Sequence, residues 1–263
     1  MKLRKAIAVH SYKGGTGKTS IAANLAALMA IEGVNVCLLD YDFRAPSIQV
    51  LFKVKAQKTV NDFLEERCSL ADVLLDLSDK YQADGHLYVG CASSTTESLR
   101  DMMTKDRKWE MRALHRTLSA KNKLYDDLNV DYIIFDTSPG VSYSSINALA
   151  SSDFIVLVSK MDEFDMEGTK ELVHGIYDTL GRRTGLLLNK IPMEQFPLGE
   201  GRRELEESMS KIFNLPFLGV IPCYCDIQAD GGRSLIAVEQ PKHPFTQALS
   251  EIMVKVRDHL KRL

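Results

Sequence analysis

Residues 6–30 read AIAVHSYKGGTGKTSIAANLAALMA, and this stretch decides the fold because a short apolar run, a glycine-rich loop and a helix-forming segment follow one another. A phosphate-binding loop requires that order of strand, loop and helix. Gly14, Gly15 and Gly17 let the backbone turn sharply and direct N–H groups at phosphate oxygens, and the helix beginning near Lys18 adds its positive dipole end. The stretch therefore predicts a P-loop between a buried strand and a helix.

The polar side chains of this loop have predicted roles at a bound triphosphate. We expect Lys18 to reach the β- and γ-phosphates and the Thr19 hydroxyl to ligate Mg²⁺. Thr16 and Ser20 complete the predicted phosphate-binding set. The alternative is a glycine-rich turn that only happens to contain lysine, and the flanking strand and helix argue against it.

Apolar runs alternate with amphipathic segments along the rest of the chain. Nearly continuous apolar runs are typical of strands buried on both faces of a parallel sheet, and their alternation with helices predicts βαβ units. We predict an α/β fold in one domain, residues 1–263, with a single doubly wound, mostly parallel sheet and helices on both faces. Residues 53–85 show the weakest pattern and are predicted only as a helical excursion. The predicted strands are 6–10, 36–40, 87–92, 132–136, 154–159, 185–190 and 217–222, and the predicted helices are 18–32, 97–128, 163–180, 200–213 and 245–263.

The composition indicates a cytoplasmic protein. The chain has 263 residues, 45% of them hydrophobic, and a formal net charge of −2, which does not suggest a surface adapted throughout to nucleic acid or membrane. It contains no apolar run long enough for a transmembrane helix, and the apolar stretch near its start is too short for a signal peptide. The five scattered cysteines are expected to be reduced.

Carboxylates stand at the ends of two predicted strands. Asp40 and Asp42 follow the run VCLL, and alternation places both on the same side of the chain. Asp136 follows the run YIIF, which is a Walker B pattern and predicts a water-mediated contact to Mg²⁺. Ligand sites in such sheets lie at the carboxyl ends of the strands, and paired carboxylates suit Mg²⁺ binding and water activation. For Asp40, a turn-capping role is the alternative.

The loop KGGTGKT resembles the deviant Walker A motif of the MinD/ParA family of P-loop ATPases, the SIMIBI class. Tyr12 stands where the standard GxxxxGK[ST] pattern has glycine, and a second lysine, Lys13, opens the loop. In that family the first glycine is not required, and the resemblance implies that Lys13 reaches across a dimer interface to the partner's nucleotide. A second cation there suits the charge that spreads over the γ-phosphoryl oxygens. The alternative for Lys13 is a solvated loop lysine.

The resemblance also implies roles for the carboxylates. Asp42 would position or activate the attacking water, and Asp40 would support the metal shell. The sequence DTSPG, beginning at Asp136, resembles the family's switch II, where the backbone of the glycine, here Gly140, senses the γ-phosphate. The catalytic set implied in this way is Lys13, Lys18 and Asp42, and the metal set is Thr19, Asp40 and Asp136.

The base pocket is implied by resemblance in the same way. Asn189 and Lys190 end the run GLLL, and in the family the asparagine reads the adenine edge. Pro222 and Asp226 match the loop that closes over the base. A cap or turn role is the alternative for Asn189. The resemblance covers nearly the whole chain, is closer to MinD, and is weakest over residues 53–130.

The function implied by this resemblance is that of an ATP-dependent switch. The protein would bind and hydrolyse MgATP, form a homodimer with ATP, and position a partner or cargo, as in cell division or in chromosome or plasmid partitioning. An unknown protein partner would regulate hydrolysis. A DNA or membrane surface stays open, with a nucleoid or peripheral membrane location. Candidate contacts are the pairs Arg182–Arg183 and Arg202–Arg203 and the basic end of segment 245–263.

A second hypothesis is an ATPase that matures a metal cofactor or an iron–sulfur cluster. Cys223 and Cys225 form a Cys-x-Cys pair, and two such pairs in a dimer would supply four thiolates for a soft metal. The alternative is that both cysteines are bystanders.

Overall fold

The structure is a computed structural model that describes residues 4–196 and 199–261, and it is built around an eight-stranded sheet. The strand order is β3-β4-β2-β5-β1-β6-β7-β8, and every pairing is parallel except β3 with β4. The predicted α/β class with a mostly parallel sheet is therefore confirmed. The strands are β1 (Lys5–His10), β2 (Val36–Tyr41), β3 (Leu74–Asp76), β4 (Leu87–Gly90), β5 (Tyr132–Thr137), β6 (Phe154–Ser159), β7 (Arg183–Ile191) and β8 (Phe217–Pro222).

Helices lie between the strands along the chain. Strands β6, β7 and β8 are consecutive parallel neighbours, whereas one strand of the sheet separates β1 from β2, β4 from β5, and β5 from β6. A π turn, Val173–Tyr177, joins two of the helices, and single 3₁₀ turns lie at Ala71–Val73, Asp79–Tyr81 and Met193–Gln195. The α-helices of the described residues are α1 (Lys18–Ile31), α2 (Ile48–Leu51), α3 (Val60–Leu64), α4 (Thr96–Met103), α5 (Arg107–Asp127), α6 (Tyr143–Ser151), α7 (Glu163–Leu172), α8 (Asp178–Leu180), α9 (Glu200–Phe213), α10 (Cys225–Asp230), α11 (Ile236–Glu239) and α12 (Pro244–Lys261).

The hydrophobic core has two parts because side chains of a strand alternate between the two faces of the sheet. In β1, Ile7 and Val9 pack into one cluster together with α1, α11 and α12. Ala6 and Ala8 pack into the other cluster, which contains side chains from α5, α6 and α7. Both faces of the sheet are therefore covered by helices, as the nearly continuous apolar runs predicted.

The prediction of one helix over 97–128 is wrong. Helix α4 ends at Met103 and α5 begins at Arg107. Asp106 begins the second helix, since its Oδ1 accepts a hydrogen bond from the Trp109 backbone N–H at 2.7 Å. This cap restarts the helix within a periodic pattern that looks continuous.

Residues 53–85 are only partly the predicted helical excursion. They contain α3, two 3₁₀ turns and the short edge strand β3, which pairs antiparallel with β4. The three residues of β3 are too few to show an alternating pattern. Helix α6 was also not predicted, and Ser142 caps it by accepting from the Ser145 N–H at 3.1 Å.

The last helix packs against the sheet. Helix α12 buries the predicted apolar stripe against β8 and α1, whereas Leu263 lies outside the described residues. Its basic side chains Lys255 and Arg257 lie 3.7 Å from a Glu206 oxygen and 3.1 Å from a Glu32 oxygen. In the described part of the chain, we find no helix with the length and apolar character needed to cross a membrane. The buried stripe residues are Phe245, Leu249, Ile252, Met253, Val256 and Leu260.

Candidate functional site

The topology brings the predicted phosphate and metal residues to the edge of the sheet formed by the carboxyl ends of the parallel strands. This carboxyl edge is also called the P-loop edge. Strands β2, β5 and β1 are neighbours and run parallel, so their carboxyl ends lie side by side. Asp40 is in register with Asp136, and Asp136 is in register with Val9, which is followed closely by the P-loop. The loop and two of the three predicted carboxylates therefore face the same crevice.

The P-loop depends on a glycine where the loop passes into α1. Gly17 has a φ of +93°, and a Cβ there would lie 2.5 Å from the Asn189 Nδ2. Among the residues that the structure describes, no side chain caps α1 at this position, and the first turn of α1 contains no acidic residue. The uncapped N–H groups and the positive end of the helix dipole therefore remain available to an anion.

Lys18 is a buried cation at the start of α1, with a side chain only 6% exposed. Burial lowers the pKa of Lys18, and the negative charges of Asp136, Asp42 and Asp165 oppose that shift. A phosphate oxygen beside Lys18 would favour its charged form further. The position and environment of this lysine suit its predicted contact with a triphosphate.

Asp136 and Asp40 are buried carboxylates that lack enough partners. Asp136 is fully buried, and neither of its oxygens has a hydrogen-bond partner among the residues that the structure describes. The same holds for the Oδ2 of Asp40, whereas its Oδ1 accepts from the Asp42 N–H at 3.0 Å. Unpartnered buried carboxylates are costly, and a cation in the crevice would offset that cost.

The pKa values of Asp136 and Asp40 are also consistent with a cation site. Burial raises the pKa of Asp136 to about 7, although the nearby Thr19 hydroxyl and the Lys18 ammonium favour its charged form without forming a hydrogen bond to it. Burial and the neighbouring charge of Asp136 raise the pKa of Asp40 well above its ordinary value. Hard oxygen donors of this kind fit Mg²⁺, which keeps several waters and needs only one or two protein carboxylates.

Asp42 lies just beyond β2, and its side chain is mostly buried. Its Oδ1 accepts hydrogen bonds from the N–H groups of Arg44 at 3.2 Å and Ala45 at 3.1 Å. These bonds fix the carboxylate at the carboxyl edge, where its charge acts on Lys18. The structure thus places Asp42 beside the phosphate loop, and its predicted role toward water remains a prediction.

Lys13 contacts the start of α7. Its Nζ lies 3.6 Å from the Oδ1 of Asp162 and 5.3 Å from the centre of the Phe164 ring, at the start of α7. The lysine side chain is 41% exposed and that of Asp162 is 50% exposed, so this ion pair contributes little to stability. Lys13 can therefore exchange this pair for another anion at little cost.

A cavity of about 440 Å³ lies beside the P-loop at the predicted base pocket. Of the predicted residues, Gly17, Ser20, Asn189, Lys190 and Pro222 line it. Its volume lies within the range typical of small-ligand sites. A larger cavity of about 690 Å³ lies between α3 and α5, away from the P-loop, and contains none of the predicted site residues.

Two predicted base contacts have other partners in this structure. The Asn189 amide donates from Nδ2 to the Thr16 carbonyl at 2.8 Å, so it stabilises the backbone of the P-loop. Asp226 does not line the cavity, because its Oδ2 accepts from the His243 Nε2 at 3.0 Å. Tyr224 and Gln228 line the cavity in its place. The prediction matched Pro222 and Asp226 to this loop by sequence, which does not determine where each side chain points.

Lys160 was not predicted as a site residue. It follows β6 at the carboxyl edge, and its Nζ lies 3.9 Å from where a Cβ on Gly15 would stand. Lys190 donates from Nζ to the Gly15 carbonyl at 3.1 Å, and burial together with the Lys160 charge lowers the pKa of Lys190. Two more ammonium groups therefore lie beside the phosphate loop. The position of Lys160 directly after an apolar strand was the available signal.

The arginine pairs proposed for DNA do not form uninterrupted basic patches. Arg182 donates from Nη2 to the Ala150 carbonyl at 2.7 Å, and Arg202 lies 3.4 Å from a Glu251 oxygen. Helix α9, which carries the second pair, also carries four glutamates, Glu200, Glu204, Glu206 and Glu207.

The cysteine pair has the following surroundings in the structure. The Cys223 Sγ accepts from the Gln228 Nε2 at 2.8 Å, and Cys225 is exposed at the first turn of α10. Throughout residues 4–196 and 199–261, no cluster of three or more His, Cys, Asp or Glu side chains is arranged to hold a metal ion. The geometry of one chain thus adds nothing to the cofactor-maturation hypothesis.

The chain matches known proteins over most of its length. A family model described as an AAA domain matches residues 4–184. An uncharacterized ATP-binding protein of Methanocaldococcus jannaschii is 26% identical over 95% of this chain and 87% of its own. The antiactivator FleN of Pseudomonas aeruginosa is 26% identical over 82% of this chain and 72% of its own.

The fold is similar to that of a solved structure. The septum site-determining protein MinD of Pyrococcus horikoshii, complexed with Mg-ADP, superposes with a TM-score of 0.73 at 21% identity, covering 96% of this chain and 95% of its own. The P-loop edge, the family model and these relatives agree with the resemblance of the loop KGGTGKT. This chain belongs to the MinD/ParA family of P-loop ATPases.

Proposed function

We propose that this protein binds MgATP at the P-loop edge, hydrolyses it slowly, and uses ATP to drive formation of a face-to-face homodimer. The observation that carries the proposal is a group of three carboxylate oxygens on Asp136 and Asp40 that have no hydrogen-bond partner among residues 4–196 and 199–261 and are buried beside the buried cation Lys18. Such an arrangement is costly by itself and suits a site that a metal–phosphate complex completes.

Each residue of the edge has a proposed task. Lys18 and the N–H groups at the start of α1 bind the phosphates, and Asp136, Thr19 and Asp40 would hold Mg²⁺. Mg²⁺ held there would supply positive charge against the phosphate oxygens. Asp42, fixed by its bonds to the Arg44 and Ala45 N–H groups, orients the attacking water.

The homodimer is supported by the contacts of Lys13 and by its surroundings. Lys13 lies on the surface in an easily exchanged ion pair. Tyr12, Val141, Tyr143 and Phe164 are exposed apolar side chains in or beside the loops of this edge. Exposed apolar groups gathered in one region indicate an interaction surface. A second copy facing this edge would cover them, and each Lys13 would then meet the partner's nucleotide.

The proposed output is placement of a partner or cargo, within one domain covering residues 1–263 and in the cytoplasm. Support comes from the relatives: FleN is named as an antiactivator and MinD as a septum site-determining protein. An unidentified protein partner would regulate hydrolysis. The dimer would act at a protein, DNA or membrane surface.

The test is phosphate release and nucleotide binding by purified protein. The wild type should release phosphate from ATP slowly with Mg²⁺ and not with EDTA. Lys18→Ala should weaken MgATP binding at least about tenfold, as expected for losing a charge-assisted contact. Lys80→Ala, a change far from the P-loop in the chain on the short 3₁₀ turn Asp79–Tyr81, is the matched control. Equal nucleotide binding by the wild type and Lys18→Ala would contradict the assignment of the site.

A further inference from the structure

A buried hydrogen-bonded chain links Gly140 to the helical segment α7–α8, and nothing in the P-loop mechanism uses it. The Gly140 N–H donates to the Ser11 carbonyl at 2.9 Å, and the Gly140 carbonyl accepts from the His10 Nε2 at 3.0 Å and the Ser145 Oγ at 3.1 Å. The residue has a φ of +67°. Both of its backbone polar groups are therefore occupied, and its N–H must leave the Ser11 carbonyl before it can meet a γ-phosphate.

The direction of the chain follows from what each group can donate. A carbonyl only accepts, so the hydrogen on the His10 ring must be on Nε2. The His10 Nδ1 is then an acceptor, and the Tyr177 hydroxyl donates to it at 2.5 Å. Burial lowers the pKa of His10 to about 3, so the ring is neutral at ordinary pH. Tyr177 thus fixes the tautomer with which His10 holds Gly140.

Tyr177 connects these hydrogen bonds to a segment that also contacts the P-loop through other residues. It is the last residue of the π turn that follows α7, and such turns are frequent at functional positions. Within α7, which precedes the π turn, the Tyr12 ring lies against Gly168, where a Cβ would be 1.9 Å from the ring. Lys13 meets Asp162 and Phe164 at the beginning of the same helix. The segment from 162 to 177 therefore contacts the P-loop strand and loop at three points.

We propose that His10 and Tyr177 are positioning residues that hold Gly140 in its resting place and couple the release of this glycine to α7. The inference rests on the proposed function, because the hold matters only if the loop 137–142 meets a γ-phosphate. A hold on the free state reduces the fraction of protein that is competent to bind ATP. It leaves ADP binding unchanged, since ADP lacks the γ-phosphate.

The test is Tyr177→Phe, which keeps the ring and removes the donor. With Mg²⁺, the dissociation constant of a non-hydrolysable ATP analogue should fall about three- to tenfold, the range expected for one lost hydrogen bond. That of ADP should stay within about twofold. Tyr125→Phe is the matched control, because the Tyr125 hydroxyl is buried without a hydrogen-bond partner in the described part of the chain. It should leave both constants unchanged.

Three results would overturn the inference: equal shifts for the analogue and ADP, weaker binding of the analogue, or the same effect in Tyr125→Phe. Any of these would mean that the pair only satisfies two buried polar groups. Hydrogen exchange of a peptide covering 137–145, without nucleotide, provides the second measurement. Exchange should be faster in Tyr177→Phe than in the wild type and Tyr125→Phe, and equal exchange in all three would contradict the hold. Because this measurement needs no nucleotide, it stays informative even if the wild type binds neither nucleotide and the proposed function fails.

Discussion

Replacing Asp136 by asparagine removes a buried carboxylate, and the effect of this change on the free energy of unfolding depends on pH. Burial raises the pKa of Asp136 from 3.8 to about 7. Between those values the folded protein keeps a proton that the unfolded chain has lost, so the free energy of unfolding decreases as pH rises. The stabilising proton is fully lost only above the folded pKa.

The magnitude follows from the same shift. Each pKa unit corresponds to about 1.4 kcal/mol, so from about pH 5 to about pH 8 this carboxyl should lower the free energy of unfolding by about 2 to 3 kcal/mol. Asp136→Asn abolishes that dependence. The raised pKa of Asp40 acts in the same direction as Asp136, and the lowered pKa of His10 acts in the opposite direction. The difference between the wild type and Asp136→Asn removes the His10 contribution and the part of the Asp40 shift that burial causes. The part that the Asp136 charge causes stays in the difference and has the same sign as the Asp136 contribution.

The assay is urea unfolding of both proteins in EDTA across this pH range. The gain in stability of Asp136→Asn over the wild type should grow with pH, reaching its full size above about pH 7. Excess MgADP should reverse the order at high pH, because only the ionised wild-type carboxylate suits the metal. A difference that stays constant from about pH 5 to about pH 8 would refute the assigned burial and charge of Asp136.

Three further changes test the phosphate loop. Gly17→Ala places a Cβ 2.5 Å from the Asn189 Nδ2 at a φ of +93°, and calorimetry should detect no ADP binding although circular dichroism shows a folded protein. Asn189→Ala leaves the Thr16 carbonyl without its donor and should lower the free energy of unfolding by about 1 to 3 kcal/mol, measured by urea unfolding. Lys160→Met removes an ammonium group beside Gly15 and should weaken MgATP binding by about two- to tenfold, and an unchanged dissociation constant would exclude Lys160 from the site.

The sheet and the P-loop could be predicted because their signals are local and strong. Strands buried on both faces leave unbroken apolar runs, and the strand–loop–helix order around Lys18 is specific to phosphate-binding loops. The antiparallel edge strand β3 could not be predicted from its three residues, because it is defined by its backbone pairing with β4. The break between α4 and α5 depends on the single cap of Asp106.

The positions of site residues could be predicted at the ends of strands, where the strand pattern determines them, and were harder to predict in loops. Asp40 and Asp136 share a register in adjacent strands, so their positions at the edge followed from the strand pattern. Asp226 stands after a loop, and His243, distant in the sequence, determines where it points. The link from His10 to Tyr177 spans 167 positions and rests on tertiary contact alone.

The most direct test of the central proposal is the solution mass of Asp42→Ala with MgATP and with MgADP. Without its water-orienting carboxylate the protein should retain ATP, so we expect a monomer in MgADP and a dimer in MgATP. The double variant Lys13→Ala, Asp42→Ala is the matched control and should remain a monomer in both. An unchanged mass of Asp42→Ala that has bound ATP would contradict a switch in which Lys13 acts across an interface.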